Sequence, residues 1–328
     1  MNVWLVLLGG ALLALAAYDV IVTTISTTSA GGPLTSRFGR AWWRVAHLAA
    51  RRPTSRWLSS AGPVILLGTI GLWLLLMWSG WTLVFAADTS AVVSGTSQAP
   101  ADWWSRVYYT GFTIFTLGVG DYVPAGAPWQ VLTVLASASG LAVTTASITY
   151  LIPVVTAATQ RAQLAARIEV MGGDAHALVA NLYHDGSVAQ FGALLPELTD
   201  RLLQTGERHL AYPILHYFHP RTVRTELRIQ LAALDDAVTL VQSGLAPEVG
   251  RPHPATLRAA RSAIAHLLER AHVADAGAAP PLELDPLRAA GVPVVSDAAF
   301  ADAVSGLADH RLRVAGYAAE SKWQRPGT

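Results

Sequence analysis

The run "TIFTLGVGDYVP" at residues 113–124 combines two closely spaced glycines with a threonine and an aspartate, residue types that could bind a cation. Gly118 and Gly120 flank a single residue, Thr116 stands before them and Asp121 follows. Glycine reaches backbone conformations that other residues resist, so such a run can aim successive carbonyl oxygens in one direction. A row of carbonyl oxygens can replace the water shell of a cation. The same run could also be a plain glycine turn between two apolar segments, and the surrounding elements must decide.

Composition divides the chain into two halves. Of its 328 residues, 52% are hydrophobic and only 14% are charged, whereas a soluble domain carries about 25% charged residues. Residues 1–157 contain just four acidic residues and seven arginines, which indicates a membrane half followed by a soluble half. A net charge of +1 gives no reason to expect a nucleic-acid partner. The absence of cysteine excludes disulfides and thiolate metal sites.

Three segments are apolar enough to cross a bilayer, which takes about 20 residues. Residues 3–26 are interrupted only by Asp19, and residues 57–87 and 122–160 carry no charge. Tryptophans cluster at the edges of the second and third segments, as in an aromatic belt at a membrane interface. We therefore predict three transmembrane helices.

The loop at residues 28–60 sets the predicted orientation. It has six arginines and no acidic residue, so the positive-inside tendency places it in the cytoplasm. The N-terminus and residues 88–127 then lie outside, and the chain after about residue 160 lies inside. In the alternative interpretation residues 14–16 are a signal-peptide cleavage site, but the segment lacks a basic n-region. The loop arginines are Arg37, Arg40, Arg44, Arg51, Arg52 and Arg56.

A short helix precedes the glycine run. Residues 103–115 have helix length, Asp102 is a suitable N-cap, and the segment is too short to span the membrane. A half-helix that returns through an irregular loop is tolerated at membrane depth only where the loop is buried in protein or lines water. The order of span, short helix, glycine loop and span is therefore typical of a pore.

In this setting "TLGVGD" resembles the potassium-channel signature of threonine, any residue, glycine, aromatic, glycine and aspartate. Leu117 departs mildly from the usual valine or isoleucine, and Val119 replaces the usual aromatic residue. The resemblance covers about residues 57–157 and implies four chains around a path for K⁺, with no cofactor. The matching positions are Thr116, Gly118, Gly120 and Asp121.

The resemblance also implies roles for residues of the filter segment, residues 116–121. The carbonyls of Thr116, Leu117, Gly118 and Val119 would bind the ion, and Asp121 would lie at the outer mouth. Because Val119 lacks the usual aromatic ring, other rings would have to pack behind the segment. The candidates are Tyr108, Tyr109 and Phe112.

Gly140 and Pro153 are candidate gating hinges in the third span. Gly140 follows Gly120 by twenty residues, where such channels often place a hinge glycine. Small residues also pack spans together, so close packing explains Gly140 equally well. Pro153 removes a helix hydrogen bond and should kink the helix.

Two charged features need separate explanations. Asp19 is a carboxylate inside a span, which we expect to pair with a loop arginine or to serve a gating or proton role. Arg37, Arg40 and Arg44 recur at helical spacing but lie in a polar loop, so an interfacial amphipathic helix is favoured over a voltage sensor.

The soluble half reads as helical throughout. Helices are predicted over residues 174–186, 196–218, 221–244, 254–273 and 297–320, with an alanine-proline linker at 274–286. This half shows no alternation of strands and helices and no GxGxxG run after a strand, so the sequence does not indicate a nucleotide-binding domain. His216 and His219 would share a helix face and are weak candidates for a metal site or pH sensor, although polar tips at a helix end are the ordinary interpretation.

The sequence thus predicts an all-α membrane protein: a tetrameric pore-loop channel with an extra N-terminal transmembrane helix and a helical cytoplasmic domain. The predicted parts are the N-terminal helix at 1–27, the basic loop at 28–60, the pore domain at 61–157 and the cytoplasmic domain at 158–328. We expect a potassium-selective channel of the cell membrane, a homotetramer in the lipid bilayer and not an enzyme. The alternatives are a weakly selective cation channel and a non-conducting membrane-anchored sensor.

Overall fold

The computed structural model describes residues 1–25, 31–50, 56–220, 222–271 and 278–321. Arg51 and Arg52 of the basic loop, Arg221 at the start of a predicted helix, and residues 274–277 of the predicted linker lie outside these ranges. The chain forms two compact units. The N-terminal unit comprises residues 1–44 and 63–154, and the C-terminal unit comprises residues 45–62 and 155–328.

Three long helices are apolar enough to cross a membrane: α1 (Val3–Ile25), α3 (Arg56–Ala86) and α5 (Ala127–Met171). They coincide with the three predicted spans, so the predicted helical membrane architecture is confirmed. α5 runs for 45 residues and ends at Met171, directly before Gly172. A Cβ atom on Gly172 would lie 2.4 Å from the backbone nitrogen of Leu178, which explains why only glycine fits there.

α1 and α3 pack closely where two glycines meet. A Cβ atom on Gly9 would lie 2.6 Å from the carbonyl oxygen of Gly80, and one on Gly80 would lie 2.8 Å from Leu13 Cγ. Small residues allow the backbones of two membrane helices to approach in this way.

The basic loop forms α2 (Pro33–Ala49), a strongly amphipathic helix. Arg37, Arg40 and Arg44 lie on its exposed side, while Thr35 and Ala46 are buried. This pattern fits the interfacial helix predicted from the sequence.

The short helix α4 (Trp103–Ile114) begins at Asp102, whose carboxylate accepts a hydrogen bond from the backbone N–H of Ser105 at 2.7 Å. The hydrogen bonds from Ser105 lower the pKa of Asp102 below its usual value. Two strands that the sequence analysis did not predict flank this region, β1 (Val92–Ser94) and β2 (Tyr122–Pro124). They pair antiparallel, with Ser94 opposite Tyr122.

The C-terminal unit is a helical domain whose main packing lies between α7 (Ala189–Ala211) and α9 (Pro254–Arg270). Leu195, Leu198 and Leu202 recur at spacings of three and four on the first of them and face the core. Leu257, Ala260 and Ile264 do the same on the second. The helices of this unit are α6 (Ala175–Leu182), α7 (Ala189–Ala211), α8 (Leu227–Thr239), α9 (Pro254–Arg270), α10 (Asp285–Ala289), α11 (Asp297–Ser305) and α12 (Ala308–Ala319).

Several predicted helices of this unit are shorter or broken. The helix predicted over 196–218 ends at Ala211 and is followed by a 3₁₀ turn at Pro213–Tyr217, because Pro213 has no N–H to continue the α-helix. α8 ends in a π-helical turn at Leu240–Gly244. The helix predicted over 297–320 is divided at Gly306 into α11 and α12.

Candidate functional site

Aromatic side chains fix α4 between α3 and α5. Trp78 of α3 donates its indole N–H to the carbonyl of Val107 at 3.0 Å. Tyr109 is buried, packs edge-on against Phe85 with 5.2 Å between ring centroids, and shares a 2.5 Å hydrogen bond with the hydroxyl of Thr133 on α5. The short helix is therefore held from both sides, and the segment after it starts from a fixed point.

The backbone of the filter segment alternates in handedness. Thr116, Gly118 and Gly120 have φ angles of 58°, 61° and 86°, while Leu117 and Val119 are not among the residues with positive φ. Alternation of this kind turns successive peptide planes so that their carbonyls can face one side. An L-residue in the left-handed region costs about 1–2 kcal/mol, and Thr116 bears that cost although it is not a glycine. Successive carbonyls on one side are the oxygen set that a dehydrated cation requires.

Hydrogen bonds to α4 hold the N-terminal end of the filter segment. The N–H of Leu117 donates to the carbonyl of Phe112 at 2.8 Å, and the N–H of Thr116 donates to the carbonyl of Thr113 at 3.1 Å. These acceptors are carbonyls at the end of a helix, which otherwise have no intrahelical partner. Satisfying them keeps Thr116 in its strained conformation.

The C-terminal end of the filter segment is held by different elements. The N–H of Gly95, directly after β1, donates to the carbonyl of Asp121 at 2.9 Å. The hydroxyl of Tyr108 lies 3.4 Å from a carboxylate oxygen of Asp121. Ser105 of α4 donates to the hydroxyl of Tyr122, the first residue of β2, at 2.8 Å.

The structure gives the three candidate support rings different surroundings. Phe112 is buried and contacts the rings of both Tyr108 and Tyr109, with centroids 5.2 Å and 5.3 Å away. Tyr108 is 45% exposed in the single chain and also packs against Tyr122. Tyr109 bonds to α5 and not to the filter segment. Of the three, Tyr108 contacts this segment through its side chain and Phe112 through its carbonyl.

Gly140 lies against the end of α4. A Cβ atom there would stand 2.1 Å from the carbonyl oxygen of Ile114, far inside the closest normal contact. Close packing is therefore a sufficient reason for glycine at this position, and the hinge role stays a prediction. Pro153 lies inside α5, which continues through it as a helix.

Asp19 is fully buried, and among the described residues it accepts hydrogen bonds from other groups instead of pairing with a loop arginine, one of its two expected roles. Its carboxylate accepts from the N–H of Leu34 at 2.7 Å and from the N–H and hydroxyl of Thr35 at 3.3 Å and 2.6 Å. It also accepts from the indole N–H of Trp73 at 2.8 Å. Asp19 thus acts from α1 as the cap of α2, whose first N–H groups are otherwise unpaired, and it binds α3 as well.

The two candidate histidines do not share a helix face, contrary to the prediction. His216 lies in the 3₁₀ turn, and His219 follows that turn outside any helix. His219 is buried, with its Nδ1 3.9 Å from Glu226, a fully buried carboxylate that is also 3.6 Å from Arg161. Among the residues that the structure describes, no group of three histidine, aspartate or glutamate side chains is placed to hold a metal ion.

Sequence reasoning missed Gly95, Tyr122 and Trp73. The run "SGTSQAP" at 94–100 carried a turn signal, but three-residue strands are too short to produce a readable alternation. Trp73 was hidden in a charge-free span, where no local pattern distinguishes it from the other tryptophans.

Comparison with known proteins supports this description. A family model described as "ion channel" matches residues 64–157, the segment that contains α4 and the filter segment. The chain is also similar to an uncharacterized membrane protein of Bacillus subtilis strain 168, YdjJ, at 32% identity over 98% of this chain and 96% of the relative. No solved structure matches significantly. The chain therefore belongs to the same family of membrane proteins as the Bacillus subtilis relative, and its residues 64–157 form an ion channel domain, which indicates a channel and not an enzyme.

Proposed function

We propose that this protein is the subunit of a potassium-selective channel whose filter is the carbonyl row of Thr116, Leu117, Gly118 and Val119. The observation that carries the proposal is the alternating backbone of residues 116–120, directly after α4. The carboxyl end of α4 points its partial negative charge at the same place, which favours a cation. K⁺ is the permeant ion, and the mechanism needs no cofactor.

Four copies of the chain are needed to enclose the ion. Each chain has one filter segment, and one row of carbonyls cannot replace a complete water shell. In the single chain Leu117 is 70% exposed and Val119 is 49% exposed. Neighbouring copies around a fourfold axis would cover these two side chains. We expect an assembly of four chains of 34.8 kDa each in mild detergent. A monomer or dimer by mass measurement would contradict the pore.

The proposed orientation follows the arginines of α2. By the positive-inside tendency, α2 lies at the cytoplasmic surface, so the N-terminus and the loop with β1 are outside and the C-terminal unit is inside. Asp121, which is exposed, then stands at the outer mouth. A protease site placed in the 95–98 turn should be cut in intact cells, and one placed after Ser321 should not.

A weakly selective cation channel is the second candidate, and Val119 is the observation that favours it. A valine offers the same carbonyl as an aromatic residue but less buried area to hold the carbonyl in place. Only backbone oxygens contact the ion in the proposed filter, and for that reason we favour retained selectivity.

The deciding measurement is the reversal potential of the purified full chain in bilayers under opposed K⁺ and Na⁺ gradients. We expect a value near the K⁺ equilibrium potential. A reversal potential near zero would indicate a weakly selective cation channel. The absence of any current would indicate a non-conducting membrane-anchored sensor.

Two glycine variants serve as controls for this measurement. Gly118→Ala places a side chain at a φ of 61° and should abolish the current. Gly71→Ala on α3, where an added Cβ meets nothing within 4 Å, should match the wild type.

A further inference from the structure

The outer hairpin, formed by β1, β2 and Gly95, is attached directly to the last two residues of the filter segment. β2 begins at Tyr122, immediately after Asp121, and pairs with β1 in the register Val92 to Pro124 through Ser94 to Tyr122. The N–H of Gly95 extends this pairing by donating to the carbonyl of Asp121 at 2.9 Å. The end of the filter segment is therefore one edge of a small sheet.

Gly95 also touches the filter segment by close approach. A Cβ atom on Gly95 would lie 2.8 Å from the carbonyl oxygen of Gly120 and 3.5 Å from that of Asp121. Gly95 has no positive φ that would require glycine on conformational grounds. Glycine is therefore required at this position because the Gly120 carbonyl occupies the space that a Cβ atom would need.

The hairpin itself is held on its other side. The N–H of Ser94 donates to the carbonyl of Ala99 at 2.8 Å, and the N–H of Ala101 donates to the carbonyl of Val92 at 2.9 Å. The side-chain amide of Gln98 donates to the carbonyls of Ser94 and Gly95 at 3.2 Å and 3.3 Å. β1 is therefore bonded along both edges, which makes it a rigid support.

We propose that Gly95 is a positioning residue for ion selection: the outer hairpin fixes the backbone at Gly120 and Asp121, and so holds the outer end of the carbonyl row, which finishes at Val119. This inference rests on the proposed function. The hairpin supplies the restraint that the missing ring at Val119 leaves out, because the close approach of Gly95 to the Gly120 carbonyl and its hydrogen bond to Asp121 fix the backbone one and two residues further along. The inner part of the row is held separately by the carbonyls of α4.

Gly95→Ala is the direct test, since it adds one methyl group against the Gly120 carbonyl and demands no new backbone conformation. Either that carbonyl or β1 must move by several tenths of an ångström. We expect the K⁺ to Na⁺ permeability ratio, taken from reversal potentials of the full chain, to fall by about tenfold, equivalent to about 1.4 kcal/mol. Gly71→Ala, with open space around its Cβ, is the matched control and should change the ratio by less than about twofold.

Gln98→Ala is the second variant, for the case in which Gly95→Ala does not assemble. It adds no atoms near the filter segment but removes both side-chain hydrogen bonds to the turn that carries Gly95. We expect a smaller loss of the permeability ratio in the same direction, by about two- to threefold for roughly 0.5 kcal/mol.

The wild type separates this inference from the proposed function. A wild type without potassium selectivity overturns that function, and the hairpin is then judged by unitary conductance, which Gly95→Ala must change by more than Gly71→Ala does. The inference is overturned if Gly95→Ala matches Gly71→Ala in both ratio and conductance. It is overturned equally if Gly95→Ala fails to assemble and Gln98→Ala behaves as wild type. A wild type that passes no current overturns both.

Discussion

Replacing Asp19 with leucine removes the acceptor that joins α1, α2 and α3. The substitution keeps a side chain of similar size, and it leaves the N–H groups of Leu34 and Thr35 and the indole N–H of Trp73 without their acceptor. The carboxylate is 0% exposed, so water cannot easily replace it as an acceptor. We expect a clear loss of stability of the N-terminal unit.

Two scales bracket the size of that loss. Hydrogen bonds between membrane helices average about 0.6 kcal/mol each, so the four donors to Asp19 give about 2.4 kcal/mol. The loss of a helix cap costs about 1 kcal/mol, and each buried donor left unpaired costs about 1–3 kcal/mol. One lost cap and two unpaired donors at about 2 kcal/mol each give a total of about 5 kcal/mol. We therefore expect Asp19→Leu to lower the free energy of unfolding by about 2–5 kcal/mol.

The assay is equilibrium unfolding of the full chain in mixed detergent micelles, followed by tryptophan fluorescence. Tyr18→Leu is the matched control, because Tyr18 is adjacent and 58% exposed. Trp73→Phe removes the indole donor together with part of the buried ring; because both substitutions break the same hydrogen bond, their combination should be non-additive by at least about 0.5 kcal/mol. Arg37→Gln should leave stability unchanged, since no arginine bonds to Asp19 in the described structure. A loss below about 0.5 kcal/mol, or additivity with Trp73→Phe, would refute the capping role.

Three other substitutions test separate features. Gly140→Ala should destabilise the pore by about 1–3 kcal/mol in thermal unfolding, because its Cβ overlaps the Ile114 carbonyl; changed opening with unchanged stability would instead support the hinge. The pKa of His216 is lowered from 6.5 to about 4 by burial and then by two arginines. The unfolded state therefore binds the proton first, and stability should fall as pH drops below 6.5. The loss should be shallow, because the side chain of His216 is exposed to solvent although its ring lies close to the buried arginines, and solvent screens the shift; His216→Gln should remove it. Val119→Tyr should raise the K⁺ to Na⁺ permeability ratio; an unchanged ratio would mean that neighbouring rings already fill its space.

The sequence predicted the features that local composition determines. The absence of charge over residues 57–87 and the arginines of residues 37–44 marked a span and an interfacial helix without any tertiary information. Asp102 identified the start of α4, because a helix end needs an acceptor for its free N–H groups.

Features that depend on distant partners could not be predicted. Asp19 looked like half of an ion pair, because its real donors lie 15, 16 and 54 residues away and two of them are backbone groups. Backbone donors leave no trace in the sequence. His216 and His219 appeared to share a face only because the predicted helix was carried across Pro213, whose missing N–H ends it.

Thr116 indicates how the filter segment is held against strain. A threonine with a φ of 58° would relax toward the right-handed region if it were free. Its N–H and that of Leu117 are bonded to the end of α4, while Asp121 is bonded to Gly95, so both ends of the segment are fixed before any ion arrives. In the proposed filter, a backbone fixed in this way would not have to be ordered by the ion, which would lower the cost of binding. A valine at position 119 can then be tolerated, because the position of its carbonyl depends on bonds made on either side of it and not on its own side chain.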